Sequence, residues 1–376
     1  MTKYLIYMNN YDIRPCKAQY LYWYLNMLEK FPDALFVLNK DYLNPDPNRW
    51  EIRDKKKANK NWVYKVPKNY VLLPKIEEME DVKRRNFQNP ASFLKLCVNQ
   101  HITDLDEALD KIVNENKIEA VFTCVNNKTL EIVCFRHNIP VIHNEQGPLR
   151  PPFFHRTAYL DFSGVNGRTE FYSRFLNFQG EIGRKVKIYS REELLRIVTK
   201  PEQYSYVSNL ANVKPMYDCG VALQVDVDTN MVAYNNGWTS ADLINKAMKE
   251  YGRVLIRNHP LASMQYASNT SLGNGIIDKS ANSLEFISKC KKIMTINSSV
   301  AFEAMLLGRE VEILGDSPFA KIPEMDEETK LVALNFAIFG YLIPGYLWGD
   351  KEYFKFRIFA KNEEVVYNKN MEYKRG

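Results

Sequence analysis

The sequence predicts an α/β protein of two Rossmann-like domains with a cleft between them. Three observations carry this. Short apolar runs alternate with segments of helical periodicity through the first third of the chain, the pattern of parallel strands joined by crossover helices. The alternation breaks over Gly147–Gly167, a stretch rich in Pro, Gly and aromatic residues, and resumes at Gly220. The length of 376 residues suits two domains of about 150 residues each. The expected division is a first domain over 1–165, a second over 166–345, and a segment over 346–376 that packs back on the first.

The elements follow in order. Tyr4–Met8 (YLIYM) reads as a strand, Ala18–Lys30 as a helix, and ALFVLN from Ala34 and NYVLLP from Asn69 as further strands. The basic stretch Asn44–Asn61, containing DKKKANK, reads as a solvated loop. One long helix is expected over 91–116, then a strand over Glu119–Cys124, a helix over Lys128–His137 and a strand over Ile139–Glu145. A charged helix is expected over 184–208. The second series has strands at GVALQVDVD from Gly220, RVLIRNHP from Arg253, IIDKS from Ile276, KKIMTINSS from Lys291 and EVEILG from Glu310. Helices over 240–251, 283–289 and 300–307 join them.

Composition narrows the class. Apolar residues at 45% and charged residues at 26% describe a folded globular chain rather than a disordered one. No apolar run reaches the length of a membrane-spanning helix, and MTKYLIYMNNYDIRP lacks the features of a secretory signal, so a cytoplasmic chain is expected. The net charge of +6 fits an anionic substrate or membrane surface without a basic stripe for nucleic acid. The six cysteines include no CxxC pair and the five histidines no HExxH, so buried reduced thiols and no metal are expected.

Ligands of open α/β sheets sit beyond the carboxyl ends of strands, and four motifs lie there. In RNHP, Arg257 and Asn258 lead to His259, which Pro260 would place at a helix start among free backbone N–H groups, an anion site. In TINSSVAFEAMLLG, Asn297, Ser298 and Ser299 open a helix carrying Glu303, whose carboxylate suits a ribose hydroxyl. In HNEQGPLRPP, Glu145 is a candidate general acid or base, and Arg150 and Arg156 are candidate partners for a carboxylate or phosphate. In LQVDVDTN, strand alternation would put Asp226 and Asp228 on one face after Gln224, where one serves as nucleophile and the other as base or orienter. Each also has a plainer reading: a capping histidine, an ordinary N-cap, a loop salt bridge, a solvated strand face.

Taken in order, these motifs resemble the two-Rossmann, GT-B-like glycosyltransferases that use CMP-sugars. Glu145-Gln146-Gly147 lacks the second acid of the sialyltransferase pattern. VALQVDVDTN, RNHP and TINSSVAFEAMLLGREVEILGDSPFA are similar to the capsule and O-antigen family of retaining β-Kdo transferases. That resemblance covers about Ile142 to Ala320.

The resemblance implies transfer of Kdo from CMP-β-Kdo with retention. Asp228 would be the nucleophile, Glu145 the general acid/base and Asp226 the fallback for either role. His259, Ser298 and Ser299 would meet the CMP phosphate, with Gln224, Arg257, Asn258, Pro260, Asn297 and Glu303 around the donor and Arg150 and Arg156 near the Kdo carboxylate. No cofactor or metal is implied. The acceptor would be an oligosaccharide, lipid-linked, with peripheral contact at the inner membrane of a Gram-negative bacterium, and the chain a possible module of a larger transferase. The alternatives are a CMP-sialic acid transferase, an epimerase of the same architecture, and a non-catalytic glycan-binding module.

Overall fold

The computed structural model describes residues 4–8, 10, 18–43, 66–85, 90–181, 185–260 and 275–375. The DKKKANK stretch, Cys16 and the helix expected after Pro260 lie outside them. The chain divides into two compact units. One comprises Met1–Asn144, Asp161–Val165 and Gly349–Ile358; the other comprises Glu145–Leu160, Asn166–Trp348 and Phe359–Gly376.

In the first unit, strands β1 (Tyr4–Tyr7), β2 (Leu35–Leu38), β3 (Asn69–Leu72), β4 (Ala120–Thr123) and β5 (Val141–Gln146) are parallel in the order β5-β4-β1-β2-β3. β2 and β4 are buried along their whole length. They therefore read as unbroken apolar runs rather than as alternation, as strands covered on both faces do.

Where one helix is expected over 91–116, two form, Pro90–Asn99 and Thr103–Glu115. The break is set by tertiary partners. The Ile102 amide donates to Thr129 Oγ1 (2.9 Å) and the Thr103 amide to Asp81 Oδ2 (2.7 Å). These bonds satisfy donors that a new helix start leaves open.

In the second unit, β6 (Thr157–Asp161) pairs antiparallel with β12 (Leu342–Pro344) through Thr157, Ala158 and Tyr159. A five-stranded parallel sheet follows, with β7 (Tyr217–Ala222), β8 (Val254–Arg257), β9 (Gly275–Ile277), β10 (Cys290–Thr295) and β11 (Glu310–Ile313) in the order β11-β10-β7-β8-β9. Numbered within each unit, both five-strand sets read 5-4-1-2-3. The order reverses between the first and fourth strands, and that reversal is where doubly wound sheets open a crevice at their carboxyl ends. In the second unit the crevice falls between β7 and β10.

The helix expected over 184–208 is also two, Arg191–Val198 and Tyr204–Ala211. Ser190 and Glu193 form a capping box on the first. Pro201 biases Lys200 away from the helical region and ends it.

The chain passes between the units at Asn144 and Leu160 as well as at Val165, so Glu145–Leu160 lies in the second unit. Val165 stays with the first unit because the Asn126 amide group grips its backbone on both sides, at 2.8 Å each way. The C-terminal segment divides as well. Phe354, on the helix Lys351–Phe359, packs against Phe31 and Phe122 of the first unit at 5.7 and 4.7 Å. The last helix, Glu363–Arg375, stays with the second unit, where buried Arg174 pairs with Glu363 (2.8 Å) and Phe178 stacks on Tyr367.

Cys97, Cys124, Cys134, Cys219 and Cys290 are buried free thiols. Burial pushes Cys134, Cys219 and Cys290 up to about 12, so none supplies a thiolate nucleophile near neutrality. Among the described residues no helix is long and apolar enough to cross a membrane.

Candidate active site at the strand ends of the second unit

β7 ends at Ala222, so Asp226 and Asp228 lie in a turn beyond the sheet and strand alternation does not align them. The Gln224 side chain replaces the ladder there. Its Oε1 accepts from the Asn297 amide (3.0 Å) and its Nε2 donates to Asn297 Oδ1 (2.8 Å). Asn297 Nδ2 in turn donates to the Asn230 and Tyr234 carbonyls, both at 3.0 Å. Gln224 and Asn297 thus stitch the two lips of the crevice together. Their amides are engaged in holding the site's shape.

Asp226 is exposed and accepts from Ser240 Oγ (2.8 Å). Asp228 is half-buried and caps the short helix Thr229–Ala233, its Oδ1 accepting from the Asn230 amide at 3.4 Å. One turn thereby gives its two carboxylates different surroundings.

Glu145, half-buried, opens the loop into Gly147 and Arg150. Burial raises its carboxyl above the ordinary range; the Gln146 amide (2.7 Å) and Arg150 draw it down, while the charge of Asp228 raises it further. Glu145 therefore senses a carboxylate from a distant part of the sequence, and the Arg150 guanidinium acts on it in the opposite direction. Gly147 is required by a close approach, because a Cβ there would stand 2.2 Å from Thr157 Oγ1. The amide of Gly147 donates to the Thr157 carbonyl (2.8 Å), and Arg150 Nε donates to the Gly147 carbonyl (3.0 Å).

Glu303 faces the same charge. It accepts from Ser283 Oγ (2.8 Å), and burial pushes it up to about 7 against the pull of that bond and of Arg150 and Arg257. Arg257 Nη1 is itself held by Asp278 Oδ2 (2.6 Å) and the Ser280 carbonyl (3.2 Å).

Ser298 Oγ accepts from the Val300 amide (3.3 Å), and exposed Ser299 precedes the helix Val300–Leu306 without capping it through its side chain. Asn258 and His259 follow β8, half-buried, with Pro260 exposed beyond them. Arg156 stands apart, its side chain lying against Gly345.

Sequence reasoning passed over Ser240, Asp278 and Ser283, which fix Asp226, Arg257 and Glu303. Asp278 could have been found as a polar residue straight after a strand. The two serines at helix starts carry no such mark. The two phenylalanines of AFEAM and SPFA, Phe302 and Phe319, pack at 4.5 Å, which makes that part of the motif core rather than chemistry.

The raised Glu303 carboxyl has a consequence for stability. The folded chain holds this proton more tightly than the unfolded chain, so its stabilising contribution is full below pH about 4.5 and is lost as the pH rises to about 7. Glu303→Gln should therefore match the parent's stability at pH 4.5. At pH 8 it should exceed it, by roughly 1–3 kcal/mol. Urea midpoints at the two pH values test this, and an advantage independent of pH counts against it.

Residues 6–170 match the glycosyltransferase 99 family N-terminal domain, and residues 221–325 match the capsule polysaccharide biosynthesis protein family. No curated protein matches the chain. Solved structures that resemble it include two of Thermosulfurimonas dismutans KpsC. The beta Kdo 2,7 transferase has 15% identity and TM-score 0.45, with 63% of this chain and 82% of that one covered. The beta Kdo 2,4 transferase has 16% identity and TM-score 0.42, with 68% and 87% covered. A UDP-GlcNAc 2-epimerase of Methanocaldococcus jannaschii has 13% identity and TM-score 0.33, with 95% and 100% covered. The two matched segments are thus similar to the N-terminal domain of one glycosyltransferase family and to the capsule polysaccharide biosynthesis protein family.

Proposed function

We propose that the chain transfers Kdo from CMP-β-Kdo to a sugar of a lipid-linked capsule or O-antigen glycan, with retention, by double displacement at Asp228. The observation that carries this reading is the electrostatic coupling of Glu145 and Asp228 beside Arg150. Retention by two displacements needs one carboxylate to form a glycosyl-enzyme and a second group to handle the acceptor proton. A raised Glu145 beside an Asp in different surroundings supplies two carboxyls with separate tasks. Arg150 then faces the sugar carboxylate. His259, Ser298 and Ser299 meet the CMP phosphate, and the reaction proceeds without a metal ion. A lipid-linked acceptor places the enzyme at the cytoplasmic face of the inner membrane of a Gram-negative bacterium.

The test is donor competition. The purified chain is given CMP-Kdo, generated in situ, and CMP-sialic acid together with a Kdo-accepting oligosaccharide, with and without EDTA. The expected result is CMP release from CMP-Kdo, a β-configured product by NMR, and no loss of rate in EDTA. Consumption of CMP-sialic acid instead overturns the donor, an α product overturns retention, and CMP from neither donor overturns the enzymatic reading.

A further inference from the structure

The second unit contains a cavity of about 610 Å³ whose lining includes none of Glu145, Asp228, Arg257 or Glu303, though it shares Thr157 with the Gly147 loop. That volume falls within the range of small-molecule pockets. Its walls are largely aliphatic, with Leu149, Ile197, Ile338 and Leu342 among them, and Tyr346 and Tyr373 stand at its edge, the Tyr346 hydroxyl donating to the Tyr373 carbonyl.

Three basic residues, His155, Arg156 and Lys374, line the cavity, and among the described residues no Asp or Glu does. Among the described residues the Arg156 guanidinium makes no hydrogen bond or ion pair; its alkyl stem lies on Gly345, whose amide donates to the Arg156 carbonyl (2.7 Å). The Lys374 ammonium has one hydrogen-bond acceptor among those residues, the Leu342 carbonyl at 2.8 Å, and lies 5.7 Å from the Phe339 ring. Burial with no facing carboxylate draws it down to about 7. A buried ammonium without a counter-ion is costly to keep charged, and Arg156 adds a second cation to the same cavity wall. An anion between the two relieves both, while the aliphatic walls exclude a ligand that is polar throughout.

We propose that this cavity binds an anionic amphiphile, a single aliphatic chain with a phosphate or carboxylate head, whose chain lies among Leu149, Ile197, Ile338 and Leu342 and whose head meets Arg156 and Lys374. The site is independent of the transfer chemistry and needs no donor to be detected.

The experiment is equilibrium titration of the full chain by calorimetry, with octyl phosphate as probe below its micellar concentration. Inorganic phosphate supplies the head alone and octyl glucoside the chain alone. Octanoate replaces phosphate by carboxylate and shows which head the site prefers. Octyl phosphate should saturate one site and bind at least tenfold tighter than inorganic phosphate or octyl glucoside. Arg156→Gln and Lys374→Met should each weaken it about tenfold, the scale of a charge-assisted contact. Ile197→Trp, which fills the cavity, should abolish binding in a chain whose melting temperature is unchanged. Equal binding of octyl glucoside removes the anion from the proposal, and equal binding of inorganic phosphate removes the cavity. Unchanged affinity in both charge variants overturns the site, as does absence of saturable binding to the folded parent.

Discussion

Asp228→Asn is expected to lower kcat for glycosyl transfer by about 10³-fold or more, roughly 4 kcal/mol of barrier, while the melting temperature stays with the parent. The substitution is chosen for the second half of that statement. Asp228 also caps the helix Thr229–Ala233 through its Oδ1, and an asparagine oxygen accepts the same bond from Asn230. What is lost is the charge and, on the proposed mechanism, the nucleophilic oxygen. Intact mass spectrometry after mixing with CMP-Kdo should show one added Kdo unit on the parent and none on the variant. Asp226→Asn is the comparator. Asp226 is exposed and tied to Ser240, so its loss should cost far less. If the adduct survives in Asp228→Asn and vanishes in Asp226→Asn, the assignment is reversed. A second readout needs no turnover. Asp228 raises the Glu145 carboxyl, so in Asp228→Asn the Glu145 resonance should titrate at lower pH by carbon-13 NMR.

That turn also marks where the sequence stops being legible. The strand cores Leu35–Leu38 and Ala120–Thr123 are apolar and short, and periodicity finds them. The same logic carried β7 too far. Leu223 still bonds to the Arg257 carbonyl (3.0 Å), but from Gln224 onward a side-chain amide stands in for the ladder. A glutamine in an alternating run gives no sign that it will do so. β12 is three residues of Leu, Ile and Pro paired with β6, so neither length nor alternation reveals it. The division of the C-terminal segment rests on Arg174 meeting Glu363, 189 positions away, and on Phe354 meeting Phe31 and Phe122. Such pairs are set by topology, and local composition carries no trace of them. The site was more legible than its supports because motifs after strand ends can be read one at a time. Ser240, Asp278 and Ser283 act only through the residues they hold.

Glu145→Gln should separate the two displacements that Asp228→Asn cannot. If Glu145 activates the acceptor, its loss leaves the first step, departure of CMP as an already good leaving group, largely intact. The second step should slow by about 10²–10⁴-fold, the usual worth of general base catalysis. The variant is then expected to release one equivalent of CMP per chain in a burst and stall as the glycosyl-enzyme, so that the mass adduct absent from Asp228→Asn accumulates in Glu145→Gln. The pH profile of the parent follows from the same group. Burial raises Glu145, with Asp228 raising it further, so the carboxylate needed as base forms only above the pH at which an ordinary glutamate ionises. The acid limb of kcat should therefore lie on the alkaline side of ordinary glutamate titration and flatten in Glu145→Gln. Arg150 pulls the other way, so Arg150→Gln should move that limb to still higher pH and, if Arg150 meets the donor carboxylate as proposed, raise KM. A Glu145→Gln chain that turns over at the parent rate, or that fails to release CMP even once, removes Glu145 from the acceptor step. In the second case its role moves to the departure of CMP, because a group needed as acid in the first displacement blocks the burst that a group needed only as base permits.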